Sequence, residues 1–275
     1  MALLAVPQPY DFELSTYRFR AYGADRATAW QDGALHRVVR GCVVRIAAAT
    51  GGVNVEPREF TTEPAVRHLL GLSFDTSGFW AAARGDRVLA ALEPRLEGFR
   101  PPLAPDPWEA LVTSICAQQV SLHAAFAIRA RLVERFGVDY GTVWAFPDRE
   151  RIASVSDGEL VALGFSRRKA EYVLGLARDE LDLDALRSLP DDEVIARITG
   201  VRGLGRWTAE WFLARALGRP DAWPAGDLGL RRAVERLYGD GRPMTEAEVR
   251  AVGERFAGRR TLAAQVLLAG ARAAP

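Results

Sequence analysis

The chain has 275 residues, of which 49% are hydrophobic, and its 36 Lys and Arg nearly balance 35 Asp and Glu, giving a formal net charge of +1. This length and apolar content predict a folded core with one or two domains and exclude a largely disordered chain. The small net charge gives no overall attraction to nucleic acid, so a positive face would have to come from local clusters. Three such clusters are residues 167–169, 231–232 and 259–260.

The sequence gives no indication of a membrane protein or of a metal-binding protein. No apolar run reaches the length of a membrane span, and the N-terminal residues lack the pattern of a signal peptide, so we expect a cytoplasmic protein. Cys42 and Cys116 lie far apart in apolar surroundings, which predicts two buried thiols rather than a disulfide or a metal cage. The wide spacing of His36, His68 and His123 argues against a histidine metal site.

The first part of the chain is predicted to contain a β-sheet. Residues 12–19 alternate between apolar and polar and predict a strand. Residues 38–46 and the Gly51-Gly52 turn predict further strands and a hairpin.

A proline-rich segment at residues 98–105 separates this part from a region with helical periodicity. Asp106 and Pro107 then supply an N-cap and a first helical residue. We therefore predict an α+β chain with an N-terminal α/β domain at residues 1–98 and an all-helical domain at residues 99–275.

A second helical signal precedes two closely spaced glycines. Residues 191–198 have helical spacing, with Pro190 at the start of the helix and Gly200 at its end. Gly203 and Gly205 then allow a tight turn that leaves backbone N–H groups facing an anion at the next helix N-terminus, and a DNA phosphate is such an anion. We predict a helix–hairpin–helix with its hairpin at residues 199–206.

The glycine pair is open to two other interpretations. A dinucleotide-binding turn would need a third glycine where Thr208 stands and a strand before the turn, and the preceding segment is helical instead. An ordinary helical hairpin with a glycine cap stays open on the glycines alone. Trp207, Trp211 and Asp227 favour the DNA-binding interpretation.

Asp227 follows a proline-bounded loop after the hairpin. It is predicted to cap the helix that begins at Leu228. A carboxylate held at a fixed distance from a bound DNA strand would also be placed to do chemistry on that strand. The two roles are compatible, and Asp227 is our candidate catalytic residue.

Several separated motifs resemble those of helix-hairpin-helix base-excision DNA glycosylases, in particular the 3-methyladenine DNA glycosylase II (AlkA-like) branch. The motifs occur in the order of that family and are residues 106–112, 117–121, 163–165, 168–170, 203–209 and Asp227. The resemblance implies a TBP-like N-terminal domain and two helical subdomains with an active-site cleft between them.

The resemblance also implies roles for individual residues. It implies that Asp227 stabilises the sugar cation and orients the attacking water, and that Gln119 fills the gap left by a flipped nucleotide. It places Trp207, Trp211 and Gln118 at the base pocket. The phosphate contacts that it implies are those of Gly203, Gly205, Arg206 and Thr208.

Departures from related enzymes refine this expectation. Trp207 stands where bifunctional relatives carry a Schiff-base lysine, and an indole cannot form an imine, so no lyase activity is expected. No four-cysteine cluster pattern is present in the sequence. Leu268 occupies the expected place of a further pocket aromatic, which predicts an open pocket that accepts a broad set of small alkylated bases.

The sequence therefore predicts a monofunctional enzyme that excises alkylated bases from duplex DNA and leaves an abasic site, acting as a monomer in base-excision repair. No cofactor or metal is required, although the family resemblance permits a monovalent cation on the hairpin carbonyls. Two alternatives remain: a non-catalytic module that senses damaged DNA, and a glycosylase for deaminated or oxidised bases.

Overall fold

A five-stranded antiparallel sheet forms the first part of the computed structural model, which describes residues 2–239 and 241–273. The strand order is β1-β5-β4-β3-β2. Hairpins connect β2 to β3, β3 to β4 and β4 to β5, whereas β1 pairs with β5 at the edge. The strands are β1 (Ala2–Ala5), β2 (Thr28–Gln31), β3 (Ala34–Val39), β4 (Cys42–Ala49) and β5 (Gly52–Glu56).

Helices account for most of the remaining chain. The first four are α1 (Phe12–Thr16), α2 (Glu63–Leu69), α3 (Thr76–Ala83) and α4 (Arg87–Leu96). The next six are α5 (Pro107–Ala117), α6 (Leu122–Phe136), α7 (Arg149–Ala153), α8 (Asp157–Ala162), α9 (Arg167–Arg178) and α10 (Asp191–Gly200). The last four are α11 (Arg206–Phe212), α12 (Leu228–Tyr238), α13 (Glu246–Glu254) and α14 (Arg260–Ala273).

Shorter elements connect these helices. A two-stranded ribbon of β6 (Val138–Asp139) and β7 (Trp144–Ala145) follows α6. Two 3₁₀ turns occur at Tyr17–Phe19 and Ala185–Ser188, and a π-helical segment, Leu213–Leu217, continues α11. The α+β class predicted from the sequence is confirmed. Among the helices of the described residues, none is long and apolar enough to cross a membrane.

Two hydrophobic cores stabilise the chain. The first lies between the sheet and α1 and α2, and its last buried residue is Leu70. The second starts at Phe74 and unites α3 and α4 with the later helices. Close packing of α4 against α14 illustrates this, because a Cβ on Gly270 would lie only 2.6 Å from a methyl group of Leu92. The domain boundary predicted at residue 98 stays a prediction. The two cores separate near residue 72, between Leu70 and Phe74.

A buried ionic network fastens the sheet to the helical part. Glu109 of α5 accepts hydrogen bonds from Arg37 of β3 at 3.0 Å and from Arg129 of α6 at 2.6 Å. Arg129 also pairs with Asp25, and all four side chains are at most 7% exposed. Burial alone would raise the pKa of Glu109, but the two guanidiniums outweigh burial and hold the pKa below its ordinary value.

Two expectations were wrong. Residues 12–19 form α1 and a 3₁₀ turn instead of a strand, because Asp11 caps the helix by accepting from the Leu14 N–H. The residues buried there are Phe12, Ser15, Thr16 and Phe19, which have helical rather than alternating spacing. Cys42 is exposed at the start of β4, whereas Cys116 is buried as predicted.

Candidate active site

The hairpin lies between α10 and α11. The Leu204 N–H donates to the Val201 carbonyl at 3.0 Å and closes the turn. Gly203 has φ of +92°, and a Cβ there would lie 2.2 Å from Cγ of Tyr172. The ring of Tyr172 therefore packs directly on this glycine, and both the backbone angle and the contact exclude a side chain.

The second glycine has a different environment. Gly205 precedes α11 with φ of −105°, and no atom lies within 4 Å of where its Cβ would be. Gly205 is the N-cap residue of α11, and because glycine has no side chain, no side-chain oxygen caps the first turn of this helix. The backbone at this end of α11 is therefore open to an approaching group.

Arg206 and Thr208 occupy the first turn of α11. The Arg206 side chain is 62% exposed and its Nε donates to Glu210 at 2.9 Å. Thr208 is only 1% exposed, so its side chain is enclosed by protein. Of these two residues, only Arg206 presents its side chain to solvent.

The two glutamines at the end of α5 have different surroundings. Gln118 is partly buried, and its Nε2 donates to the Gly203 carbonyl at 2.8 Å. This bond joins α5 to the hairpin across 85 positions of sequence. Gln119 is exposed and has φ of +54°, a left-handed conformation that is uncommon outside glycine.

Asp227 lies at the N-cap of α12, and its carboxylate accepts three hydrogen bonds. Oδ1 accepts from the Leu230 N–H at 2.8 Å. Oδ2 accepts from Nε1 of Trp207 at 2.8 Å and from Nε1 of Trp211 at 3.0 Å. Asp227 is partly exposed, and Leu228 beside it is 50% exposed. The carboxylate is thus held in one orientation at the molecular surface.

The two tryptophans differ in exposure. Trp207 is half-buried, whereas Trp211 is 5% exposed. The guanidinium carbon of Arg215 lies 3.6 Å from the ring centroid of Trp211 and covers one face of the indole. Sequence reasoning missed Arg215, although its position one helical turn after Trp211 is the signal that would have found it.

Leu268 of α14 lies close to the carboxylate. A Cβ on Gly229 would lie 3.5 Å from Cδ2 of Leu268 and 3.0 Å from Oδ1 of Asp227. The side chain is 8% exposed. The aliphatic side chain of Leu268 therefore lies beside Gly229, two residues after Asp227, where the family resemblance implies an aromatic residue.

One member of the predicted positive clusters faces inward. Lys169 is 8% exposed, and its Nζ donates to the Cys116 carbonyl at 2.9 Å. Burial lowers the pKa of Lys169 below its ordinary value. Lys169 therefore connects α9 to α5 through this hydrogen bond. It does not contribute to the positive surface cluster that was predicted at residues 167–169.

Neither cavity size nor metal-ligand clustering identifies the site. Two surface cavities, of about 230 Å³ beside Asp86 and Arg255 and of about 390 Å³ beside Asp106 and Arg149, contain none of the predicted site residues. Within the described residues, no group of three or more His, Cys, Asp or Glu side chains is placed to hold a metal ion. The convergence of Trp207, Trp211 and Asp227 is what distinguishes this region of the molecule.

Comparisons with known proteins agree on the family. The model of the HhH-GPD superfamily of base excision DNA repair proteins matches residues 112–257. The chain is 31% identical over 186 residues to DNA-3-methyladenine glycosylase of Bacillus subtilis, covering 65% of this chain and 61% of that protein. It spans about half to three-fifths of the length of the first curated relatives that it matches.

Two solved structures support the same assignment. The 3-methyladenine DNA glycosylase of Archaeoglobus fulgidus superposes with a TM-score of 0.89 at 30% identity, covering 99% of both chains. Schizosaccharomyces pombe Mag1 in complex with abasic DNA gives 0.61 at 29% identity, covering 69% of this chain and 94% of that one. The chain belongs to the HhH-GPD superfamily of base excision DNA repair proteins.

Proposed function

We propose that this protein is a monofunctional DNA glycosylase that excises alkylated bases from duplex DNA by hydrolysis and leaves an abasic site. The observation that carries the proposal is the carboxylate of Asp227, fixed by two indole N–H groups beside the hairpin. The chain is similar to DNA-3-methyladenine glycosylase of Bacillus subtilis and to 3-methyladenine DNA glycosylase of Archaeoglobus fulgidus, and this similarity supports the same substrate class.

DNA binding is proposed to start at the hairpin. Backbone N–H groups around Gly205 contact a phosphate, because this face of the chain is unobstructed. Arg206 adds an exposed positive charge, and Thr208 contributes through its backbone alone, since its side chain is buried. Gln118 acts by holding the Gly203 carbonyl and so fixing the hairpin.

Base excision requires that the damaged nucleotide leave the duplex. Exposed Gln119, held in its left-handed conformation, fills the vacated space and offers hydrogen bonds to the orphaned base. The flipped base stacks against the open part of Trp207, because alkylated purines are electron-poor rings. Trp211 contributes mainly its N–H group, since Arg215 covers one of its faces.

Asp227 then supplies the chemistry. As the base departs, positive charge develops on the sugar, and a preorganised carboxylate stabilises this transition state more than the ground state. The same carboxylate orients the water that attacks the sugar. An electrostatic contribution of this kind is worth on the order of 10²- to 10³-fold in rate, or about 3–4 kcal/mol.

The proposal also covers lyase activity, the need for a cofactor, and the location and oligomeric state of the protein. Trp207 cannot form an imine with the sugar, so the strand stays intact after base release. No cofactor is needed for this hydrolysis, and a monovalent cation on the hairpin carbonyls is compatible with the proposal. The protein acts in the cytoplasm as a monomer on double-stranded DNA.

The test is incubation of the purified protein with methylated duplex DNA, scoring free bases and abasic sites with and without alkali. We expect 3-methyladenine to be released and strands to break only after alkali. Breakage without alkali would show lyase activity. Binding without base release would favour a damage-sensing module, and release restricted to deaminated or oxidised bases would favour the other alternative.

A further inference from the structure

Glu210 is a buried carboxylate of α11 that base excision does not use directly. It is 5% exposed. Its Oε1 accepts from Nε of Arg206 at 2.9 Å and from Nη1 of Arg250 at 3.2 Å. Nη2 of Arg250 also donates to Glu246 at 2.9 Å, so α13 holds this arginine at two points. The carboxylate of Glu210 is therefore fixed between the first turn of α11 and α13.

Arg206 is held at one end only. Its side chain is 62% exposed. Within the described part of the chain, Nε is its one side-chain nitrogen that donates a hydrogen bond to another residue. The bond from Nε to Glu210 fixes the plane of the guanidinium, and Nη1 and Nη2 stay free to bind a ligand. The arginine therefore presents a positioned pair of donors to solvent.

The stability of α11 does not account for this ion pair. A positive charge at the first residue of a helix opposes the helix dipole. An arginine four residues before a glutamate is also the less favourable order for an ion pair along a helix. The pair is therefore better explained by a ligand that binds Arg206 than by helix stability.

The surroundings of Arg206 indicate the chemistry of that ligand. Arg206 directly follows Gly205, where the space around the chain is open. The hairpin is proposed to bind a DNA phosphate at this glycine. The planar fork of a guanidinium matches two oxygens of one phosphate, which gives a bidentate, charge-assisted contact.

We infer that Glu210 is a positioning residue, which orients Arg206 so that Nη1 and Nη2 bind one DNA phosphate beside the hairpin. This inference rests on the DNA-binding step of the proposed function. Glu210 itself does not touch the DNA. Its effect on affinity is opposite to that of its charge, because a carboxylate near a polyanion would otherwise weaken binding.

The test compares Glu210→Met with Glu210→Gln, which remove the same negative charge. Only glutamine keeps an oxygen that accepts from Arg206. Binding is measured by fluorescence anisotropy with a duplex that carries a stable abasic-site analogue. We expect Glu210→Met to bind about 3- to 10-fold more weakly than wild type, because a long side chain must now be ordered on binding. Glu210→Gln should bind at least as tightly as wild type.

Variants of Arg206 test whether Glu210 acts through this arginine. Arg206→Met should bind about tenfold more weakly and lower the salt dependence of log affinity by about one unit of slope. The double variant with Glu210→Met should bind no more weakly than Arg206→Met alone. Arg206→Lys keeps the charge without the fork, so it should keep the slope and still bind more weakly than wild type.

Glu193→Met is the matched control. Glu193 also accepts from an arginine four residues away, Arg197 on α10, at 3.0 Å, and it is exposed. Its loss should not weaken binding. Circular dichroism melting checks that each variant is folded.

Three results would overturn the inference and leave the proposed function intact. They are equal affinities of the two Glu210 variants, additive losses in the double variant, and wild-type affinity of Arg206→Lys. Wild-type protein that binds the duplex without releasing a base would contradict the proposed function alone. Wild-type protein that does not bind duplex DNA would overturn both.

Discussion

Nε1 of Trp207 lies 2.8 Å from Oδ2 of Asp227, and the bond joins the first turn of α11 to the N-cap of α12. The tryptophan therefore does more than offer an aromatic face. It holds the carboxylate oxygen that it shares with Trp211. A hydrogen bond to a charged group contributes about 1.5–3 kcal/mol, so this contact is large enough to affect catalysis.

Replacing Trp207 by Phe keeps an aromatic ring and removes the donor. We expect the single-turnover rate of base excision to fall by about 10- to 100-fold, because the carboxylate loses one of its orienting hydrogen bonds. DNA affinity should change little. A rate within twofold of wild type would show that the bond does not contribute.

Trp223→Phe is the matched control for this variant. Nε1 of Trp223 donates to the Val249 carbonyl at 3.0 Å, a bond that does not involve Asp227. Its loss should lower the free energy of unfolding by about 1 kcal/mol, since one buried hydrogen bond is removed. Excision by the folded protein should keep its wild-type rate.

The two hairpin glycines should respond differently to alanine. At Gly203 the methyl group collides with Tyr172 and φ is +92°, so we expect a lower free energy of unfolding, by about 1–3 kcal/mol or more. At Gly205 a methyl group meets no protein atom. We therefore expect Gly205→Ala to fold normally and to bind duplex DNA about tenfold more weakly or worse, through loss of a charge-assisted contact.

Urea unfolding and fluorescence anisotropy with a labelled duplex distinguish these effects. If Gly205→Ala binds DNA as wild type does, the phosphate does not approach the chain at this glycine. Gly203→Ala with wild-type stability would mean that the Tyr172 ring moves aside at no cost.

The ionic network between the sheet and the helices should be important for stability. Glu109→Gln leaves two guanidiniums with one fewer buried negative charge, and we expect a loss of about 3–5 kcal/mol in the free energy of unfolding. Glu171→Gln is the control, because Glu171 forms an exposed pair with Arg202 and should change stability by less than about 1 kcal/mol. Equal losses in urea titrations of the two variants would contradict this account.

His68 predicts a pH dependence of stability. Burial, followed by the charge of Arg187, lowers the pKa of His68 below its ordinary 6.5, although Nε2 lies 3.0 Å from the Ala104 carbonyl. The unfolded chain therefore binds the proton first as pH falls through 6.5. The contribution of His68 to the free energy of unfolding is therefore fully present above pH 6.5. It is lost as the pH falls toward the lower pKa that His68 has in the folded protein.

The variant His68→Gln cannot titrate. The difference in unfolding free energy between wild type and this variant should therefore favour wild type more at about pH 7.5 than at about pH 5.5. The measurement is urea unfolding at both pH values. A difference that is independent of pH would show that His68 does not titrate in this range.

Local signals in the sequence predicted much of the fold. The cap at Asp106, the ends of α10 and the cap at Asp227 were predicted correctly, because each depends on neighbouring residues. Residues 12–19 were not, because their apolar pattern fits both alternation and a helical face, and the Asp11 cap decides between them.

Long-range contacts explain what the sequence did not predict about the site. The partner of Gln118 is 85 positions away, and Arg250 is 40 positions from Glu210. Neither pairing leaves a periodic pattern in the chain. The buried state of Lys169 was missed for the same reason. A lysine that follows two arginines is typical of a solvent-exposed face, and its burial depends on the contact with α5.

The central claim is that the Asp227 carboxylate drives base release, and Asp227→Asn tests it most directly. Asparagine is as good an N-cap as aspartate, so α12 should remain folded and DNA affinity should be kept. Single-turnover release of 3-methyladenine from methylated duplex should fall by about 10²- to 10³-fold. Release at the wild-type rate by this folded, DNA-binding variant would contradict the account.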